Sequence, residues 1–291
     1  MAPAFATPVA ISNSSVLAGV NDYGTLGSNG NTPPGILFDA TATSNYGVND
    51  FLTPGTPWEG FYITANGGVS QYSNNTTAGG YHGGTTFSST SPISLTGSSA
   101  TWTGTSFDGS MTVTNTYSLT TVSGRSVIAV NTTVTNNSDS ALTGLQFLRA
   151  VDPDPDVNAF GSYYTANTII SNSQACGTGP SSGQTICVFT TDDTFTHNAG
   201  ISGYYSGTDG QWSRIPADYL AGMNDGDGDY AIGLAFNVGT LGGKQSVSLK
   251  YGYALGGSLD VTVTPPVPEP EAYGLLLAGL AVVGAIRRRR A

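Results

Sequence analysis

The chain has little charge, and little of that charge is positive. Only 10% of its 291 residues are charged, with nine lysines and arginines against 19 aspartates and glutamates. No basic stripe exists to neutralise phosphates, which excludes nucleic acid as a partner. Glutamate is almost missing: Glu59 is the sole one before Glu269. A glycosidase needs two carboxylates across a cleft, so any partner for Glu59 would have to be an aspartate. The two histidines, His82 and His197, lie in glycine- or threonine-rich surroundings and neither sits in a catalytic motif such as a nucleophile elbow. With two cysteines and no further soft ligands beside them, a structural zinc site is excluded as well. Helical periodicity is absent before residue 272, and 40 glycines make long helices costly.

What is present is alternation. In residues 111–119 the odd positions are apolar except Asn115, and in residues 126–136 Ile128, Val130 and Val134 share a face with Thr132. Leu145, Phe147 and Val151 repeat the scheme, with Arg149 on their side. Val247, Leu249, Tyr251, Tyr253 and Leu255 form one long stripe. Period two with β-branched and aromatic residues marks half-buried antiparallel strands. Turn chemistry at residues 122–125, 136–140 and 241–244 separates these runs. Further strands are expected at 36–38, 61–64, 69–72, 101–107, 165–170, 186–190 and 231–238. About a dozen antiparallel strands predict an all-β chain, assembled as one large β-sandwich over residues 7–258. Two smaller sandwiches split near residue 95 are the alternative. Residues 259–266, with Pro265 and Pro266, read as a stiff linker.

The chain closes on three parts in a fixed order. Val267, Pro268, Glu269 and Pro270 come first. An uncharged apolar run, residues 272–286, follows, and Arg287, Arg288, Arg289 and Arg290 come last. Fifteen residues make a helix of about 22 Å, short for a bilayer core of about 30 Å. Tyr273 at one interface and snorkelling arginine stems at the other extend that span. The arginines are expected to stay cytoplasmic, with everything before the helix facing outward. This arrangement resembles the PEP-CTERM sorting signal of Gram-negative bacteria, over residues 267–291. The resemblance implies export, a transient stay in the inner membrane, and cutting near the Pro-Glu-Pro motif by an exosortase-type enzyme. Release to the cell surface or to extracellular polysaccharide would follow. The strand ending in Arg149 to Asp154 and the turn at residues 239–246 are similar to ectodomains carrying the same signal. At the other end, Ala4-Phe5-Ala6 resembles a small-x-small cleavage site, so residues 1–6 read as a signal-peptide remnant.

Export agrees with the rest of the composition. Without residues 269–291 the chain has five basic residues against 17 acidic ones, a net charge of about −12. In an oxidising compartment Cys176 and Cys187, which flank a Gly/Ser/Pro loop, are expected to form one disulfide.

Two aspartate motifs could carry chemistry. In residues 149–158, Asp152, Asp154 and Asp156 alternate with prolines at the end of a strand. Three crowded carboxylates call for neutralisation, by calcium, by pairing with Arg149, or by water around an acidic turn. Asp225, Asp227 and Asp229 resemble the opening of a calcium loop. They depart from the EF-hand pattern, since Tyr230 stands where glycine belongs and Phe236 where the bidentate acid belongs. A polar hairpin turn is the other reading. Trp58 with Glu59, Tyr163-Tyr164, Tyr204-Tyr205 and Trp212 lie in polar, glycine-rich surroundings that suit stacking on sugar faces, though ordinary packing would also use them. The expectation is a non-catalytic exported surface or matrix protein in contact with glycans. A polysaccharide-active enzyme and a calcium-stiffened adhesin are the alternatives.

Overall fold

A computed structural model describes residues 7–27, 35–47, 50–52, 58–75, 84–203 and 216–256. The sorting motif, the apolar run 272–286, the linker and residues 1–6 lie outside them, as do Tyr204, Tyr205 and Trp212. The described residues hold seventeen strands and two short helices, and 57% of them are in strands or bridges and 4% in helix. No helix among the described residues is long and apolar enough to cross a membrane.

In chain order, β1 (Val9–Ser12), β2 (Val16–Val20) and β3 (Ile36–Phe38) form a small antiparallel sheet. Then come β4 (Glu59–Ala65), β5 (Val69–Asn74), β6 (Phe87–Ser89), β7 (Ser94–Thr96) and β8 (Ser99–Ser106). The long strands β9 (Met111–Val122), β10 (Arg125–Asn136) and β11 (Leu142–Val151) lead into helix α1 (Val157–Phe160). After it come β12 (Ala166–Ser171), β13 (Gln174–Thr178), β14 (Thr185–Phe189) and β15 (Thr196–Ser202). Helix α2 (Pro216–Leu220), β16 (Ala231–Leu241) and β17 (Ser246–Gly256) complete the fold.

Nine strands make the larger sheet, in the order β12-β13-β14-β17-β10-β9-β8-β6 with β7 paired to β8. Five make the other, in the order β15-β16-β11-β4-β5. All pairings between named strands are antiparallel. Strands from both sides of residue 95 share each large sheet.

The two sheets pack face to face. Phe147 of β11 lies 5.8 Å from Tyr251 of β17, ring centre to ring centre, and Phe61 of β4 lies 5.5 Å from Phe87 of β6 and 6.2 Å from Trp102 of β8. Each such side chain contributes roughly 1.5–3 kcal/mol through burial. Period two dictates this face: Ile128, Val130, Thr132 and Val134 of β10 all point inward. The expected strand boundaries at 36–38, 111–119 and 247–255 fall on β3, β9 and β17. The five-stranded sheet is also covered outside. There α2 sets Tyr219 against Trp58, Tyr62, Leu148 and Ala150. Burial on both sides explains why β16 begins as a continuous apolar run.

Candidate functional site

The aspartate site begins where β11 must stop. Pro153 and Pro155 have no N–H for a ladder, so the chain leaves the sheet after Val151, and Pro155 sits in the turn closed by Val157 N–H donating to Asp154 O at 3.2 Å. The backbone is then pinned by two hydrogen bonds: Asp152 N–H donates to Trp58 O at 2.6 Å, and Asp154 N–H to Phe51 O at 3.1 Å. On the neighbouring strand, Asp229 precedes β16 by two residues, and Val151 pairs with Ile232. Thus Asp152, Asp154 and Asp229 converge, one carboxylate oxygen from each lying within 4.8 Å of the others. Asp152 and Asp154 are buried, at 1% and 0% exposure. Neither has a hydrogen-bond partner on either carboxylate oxygen, and Asp229 Oδ1 has none. Burial, with the nearby Asp154 and Asp229 charges, pushes the Asp152 carboxyl far above the usual carboxylate range. Burial and Asp229 push Asp154 up to about 8, and burial raises Asp229.

The other three aspartates of the two motifs are tied to backbone amides instead. Asp156 accepts from Ser181 N–H at 2.7 Å and Ser182 N–H at 3.0 Å. Asp227 accepts from Asn167 N–H at 2.7 Å, and Asp225 from Gly203 N–H at 2.8 Å. The two stretches therefore do not make two three-aspartate sites. They combine two residues from one and one from the other, a juxtaposition set by the β11–β16 pairing.

Pairing of Arg149 with the motif aspartates does not occur. Its guanidinium points between the sheets and meets Glu59, both side chains having 0% exposure. Arg149 Nε donates to Glu59 Oε1 and, at 3.2 Å, to Tyr253 OH, while Nη2 donates to Tyr117 OH at 2.7 Å. Tyr253 OH donates to Glu59 Oε1 at 2.6 Å, and Leu26 N–H donates to Oε2 at 2.6 Å. Burial works against the arginine's charge, but Glu59 and the surrounding tyrosines outweigh it and hold the guanidinium firmly protonated. Burial, with Glu59 beside it, raises the Tyr253 phenol, which stays neutral. The network runs on through Tyr117 OH to Gly24 O at 2.7 Å and through Asn115 Nδ2 to the same carbonyl at 2.8 Å. Asn115, the polar exception in its strand, also accepts from Thr132 Oγ1 at 2.7 Å.

The aromatic candidates divide. Trp58 and Glu59 have no exposed surface, so neither can touch an external glycan; Trp58 stacks on Tyr62 at 5.5 Å. Tyr163 and Tyr164 are exposed, at 44% and 48%, and Phe160, which alternation did not single out, joins them at 56%. Their loop begins at Gly161, left-handed at φ 68°, and ends where Thr165 exchanges two backbone hydrogen bonds with Gly228, at 2.9 and 3.0 Å. A groove of about 360 Å³ opens on the outer face of the nine-stranded sheet, floored by Val127, Ala129 and Phe189 and edged by Ser118, Asn131 and Lys250. No carboxylate or histidine lines it. His197 is buried, its ring nitrogens held by Phe195 O at 2.9 Å and Ser173 Oγ at 2.8 Å. Cys176 and Cys187, opposite each other on β13 and β14, form the expected disulfide.

No curated protein matches the sequence. Among solved structures, a bacterial glucoamylase complexed with acarbose is similar at 11% identity and a TM-score of 0.48, over 88% of this chain and 33% of that one. The chain thus spans about a third of that enzyme's length. A putative aldose 1-epimerase from Escherichia coli K12 is similar at 12% identity and a TM-score of 0.42, over 86% and 99% of the two chains. A Synechocystis protein is similar at 11% identity and a TM-score of 0.40, over 89% and 98%. A family profile, the PEP-CTERM protein-sorting motif, matches residues 266–290. That motif marks an exported, transiently membrane-anchored protein handled by an exosortase-type system. The chain is a PEP-CTERM domain-containing protein.

Proposed function

We propose that the exported chain is a non-catalytic protein of the cell surface or extracellular matrix, and that it contacts polysaccharide through the loop between α1 and β12. The observation that carries this reading is the exposure of Phe160, Tyr163 and Tyr164 within five residues, at the end of α1 and in the anchored loop that follows it. Exposed rings on a mildly acidic, polar surface mark a contact surface, and flat aromatic faces suit the C–H faces of sugars. Catalysis has less support. Glu59 is sealed in an ion pair, Asp152 and Asp154 are buried, and the open groove has no acid to give or take a proton. In this reading the sorting signal delivers the protein and the sandwich retains it in the polysaccharide.

The test is binding to a glycan array by wild type and by the double variant Tyr163→Ala/Tyr164→Ala. Two lost stacking contacts of about 0.5–1.5 kcal/mol each predict binding weaker by roughly 5- to 150-fold. Melting temperature should be unchanged, because both rings are solvent-exposed. Equal binding by the variant would rule out this loop as the contact surface.

A further inference from the structure

We infer that Asp152, Asp154 and Asp229 form a binding site for a divalent cation of the calcium class, which clasps the end of β11 to the start of β16. The three carboxylates are brought together by strand pairing from positions 77 residues apart in sequence, Asp152 and Asp229. One oxygen from each lies within 4.8 Å of the others. Calcium holds oxygens at about 2.3–2.6 Å, so two ligands of one ion stand at most about 5 Å apart.

An independent observation points to the ligand. Both oxygens of Asp152 and of Asp154 are buried without a hydrogen-bond donor. Buried carboxylates elsewhere in these loops are satisfied: Asp156 has two backbone amides, and Asp50 has those of Gly35, Ile36 and Leu52. The nearest arginine in sequence, Arg149, is committed to Glu59 on the opposite face of β11. Among the described residues the only other ion pair is the exposed one between Lys244 and Asp139. Ionising buried carboxylates that have no donors is costly, and a cation removes that cost.

The donor set selects the metal. Three carboxylates offer up to six hard oxygens and no nitrogen or sulfur, which suits calcium or magnesium and not zinc or copper. Calcium's tolerance of bidentate carboxylates favours it over magnesium, which demands a near-octahedral shell. The site is not an EF-hand, since its ligands come from two separate strand ends. Gly228, next to Asp229, is the residue hydrogen-bonded to Thr165, so the ion would also steady the aromatic loop. Only that last consequence rests on the glycan reading; the site itself does not.

The experiment uses the full-length chain in mild detergent, stripped with chelator and then returned to millimolar calcium, magnesium or chelator alone. At calcium ten times the dissociation constant, the melting temperature should rise by about 3–6 °C, and less with magnesium. Equilibrium dialysis should find one calcium per chain. Asp229→Asn is half-exposed and removes a like charge. It should melt at or above wild type in chelator, lose the calcium-dependent rise and bind no calcium. An unmoved wild-type melting temperature with no calcium bound overturns the proposal. So does a full response retained in both Asp229→Asn and Asp152→Asn. Neither readout involves a glycan, so failure here is separate from failure of the loop assignment.

Discussion

Replacing Arg149 by methionine removes the positive partner from the buried pair while roughly keeping the volume of its stem. Glu59 is then left at 0% exposure with its Oε1 accepting only the Tyr253 hydroxyl. Tyr117 OH loses the Nη2 donor. Leaving one member of a buried ion pair uncompensated costs about 3–5 kcal/mol. For a domain of this size that is a fall of roughly 6–20 °C in melting temperature. Glu59→Leu should cost a similar amount, because it strands the guanidinium and frees Leu26 N–H. The double variant Arg149→Met/Glu59→Leu leaves no buried charge, so it should lose less than the sum of the singles, with a coupling of at least about 1 kcal/mol. Urea unfolding of the four proteins measures this directly. If Arg149→Met costs less than about 1 kcal/mol, or if the singles simply add, the buried pair between β4 and β11 does not stabilise the fold as argued.

Gly24 has φ 72°, and a Cβ there would stand 2.2 Å from Trp102 Cε3, so Gly24→Ala should destabilise by roughly 2–5 kcal/mol in chemical unfolding. Removing the disulfide as Cys176→Ala/Cys187→Ala opens a loop with a sequence separation of 11 and should cost about 2–3 kcal/mol, seen as a lower urea midpoint. Asp39 is held below the usual carboxylate range by hydrogen bonds from Thr41 and Thr43. Its folded pKa is depressed, so its stabilisation is present above about pH 4 and is lost as pH falls through the folded value. A pH series of melting curves should therefore be flatter below pH 4 in Asp39→Asn than in wild type.

Long half-buried strands were legible in the sequence, because one buried face forces strict alternation. Arg149 was visible on the apolar face of its strand, yet its partner was not, since Glu59 stands 90 positions away and only the β4–β11 pairing joins them. Short or two-sided strands gave no such pattern. β13 runs through Cys176 beside a loop rich in Gly and Ser, β15 carries His197 and Asn198, and β6 and β7 are three residues each. The acidic motifs were visible as candidate cation ligands, but which aspartates converge depends on where the prolines turn the chain out of β11 and on the register with β16. Phe160 was missed because nothing local marks it as exposed; α1, only four residues long, sets its direction.

Incubating the processed chain with polysaccharide from the producing cell's surface, while following bound protein and newly released reducing ends together, is the most direct measurement. A non-catalytic glycan-contacting protein should bind and release nothing, with binding weakened in Tyr163→Ala/Tyr164→Ala. Steady release of reducing ends in proportion to the amount of chain would contradict that account and establish an enzyme in its place.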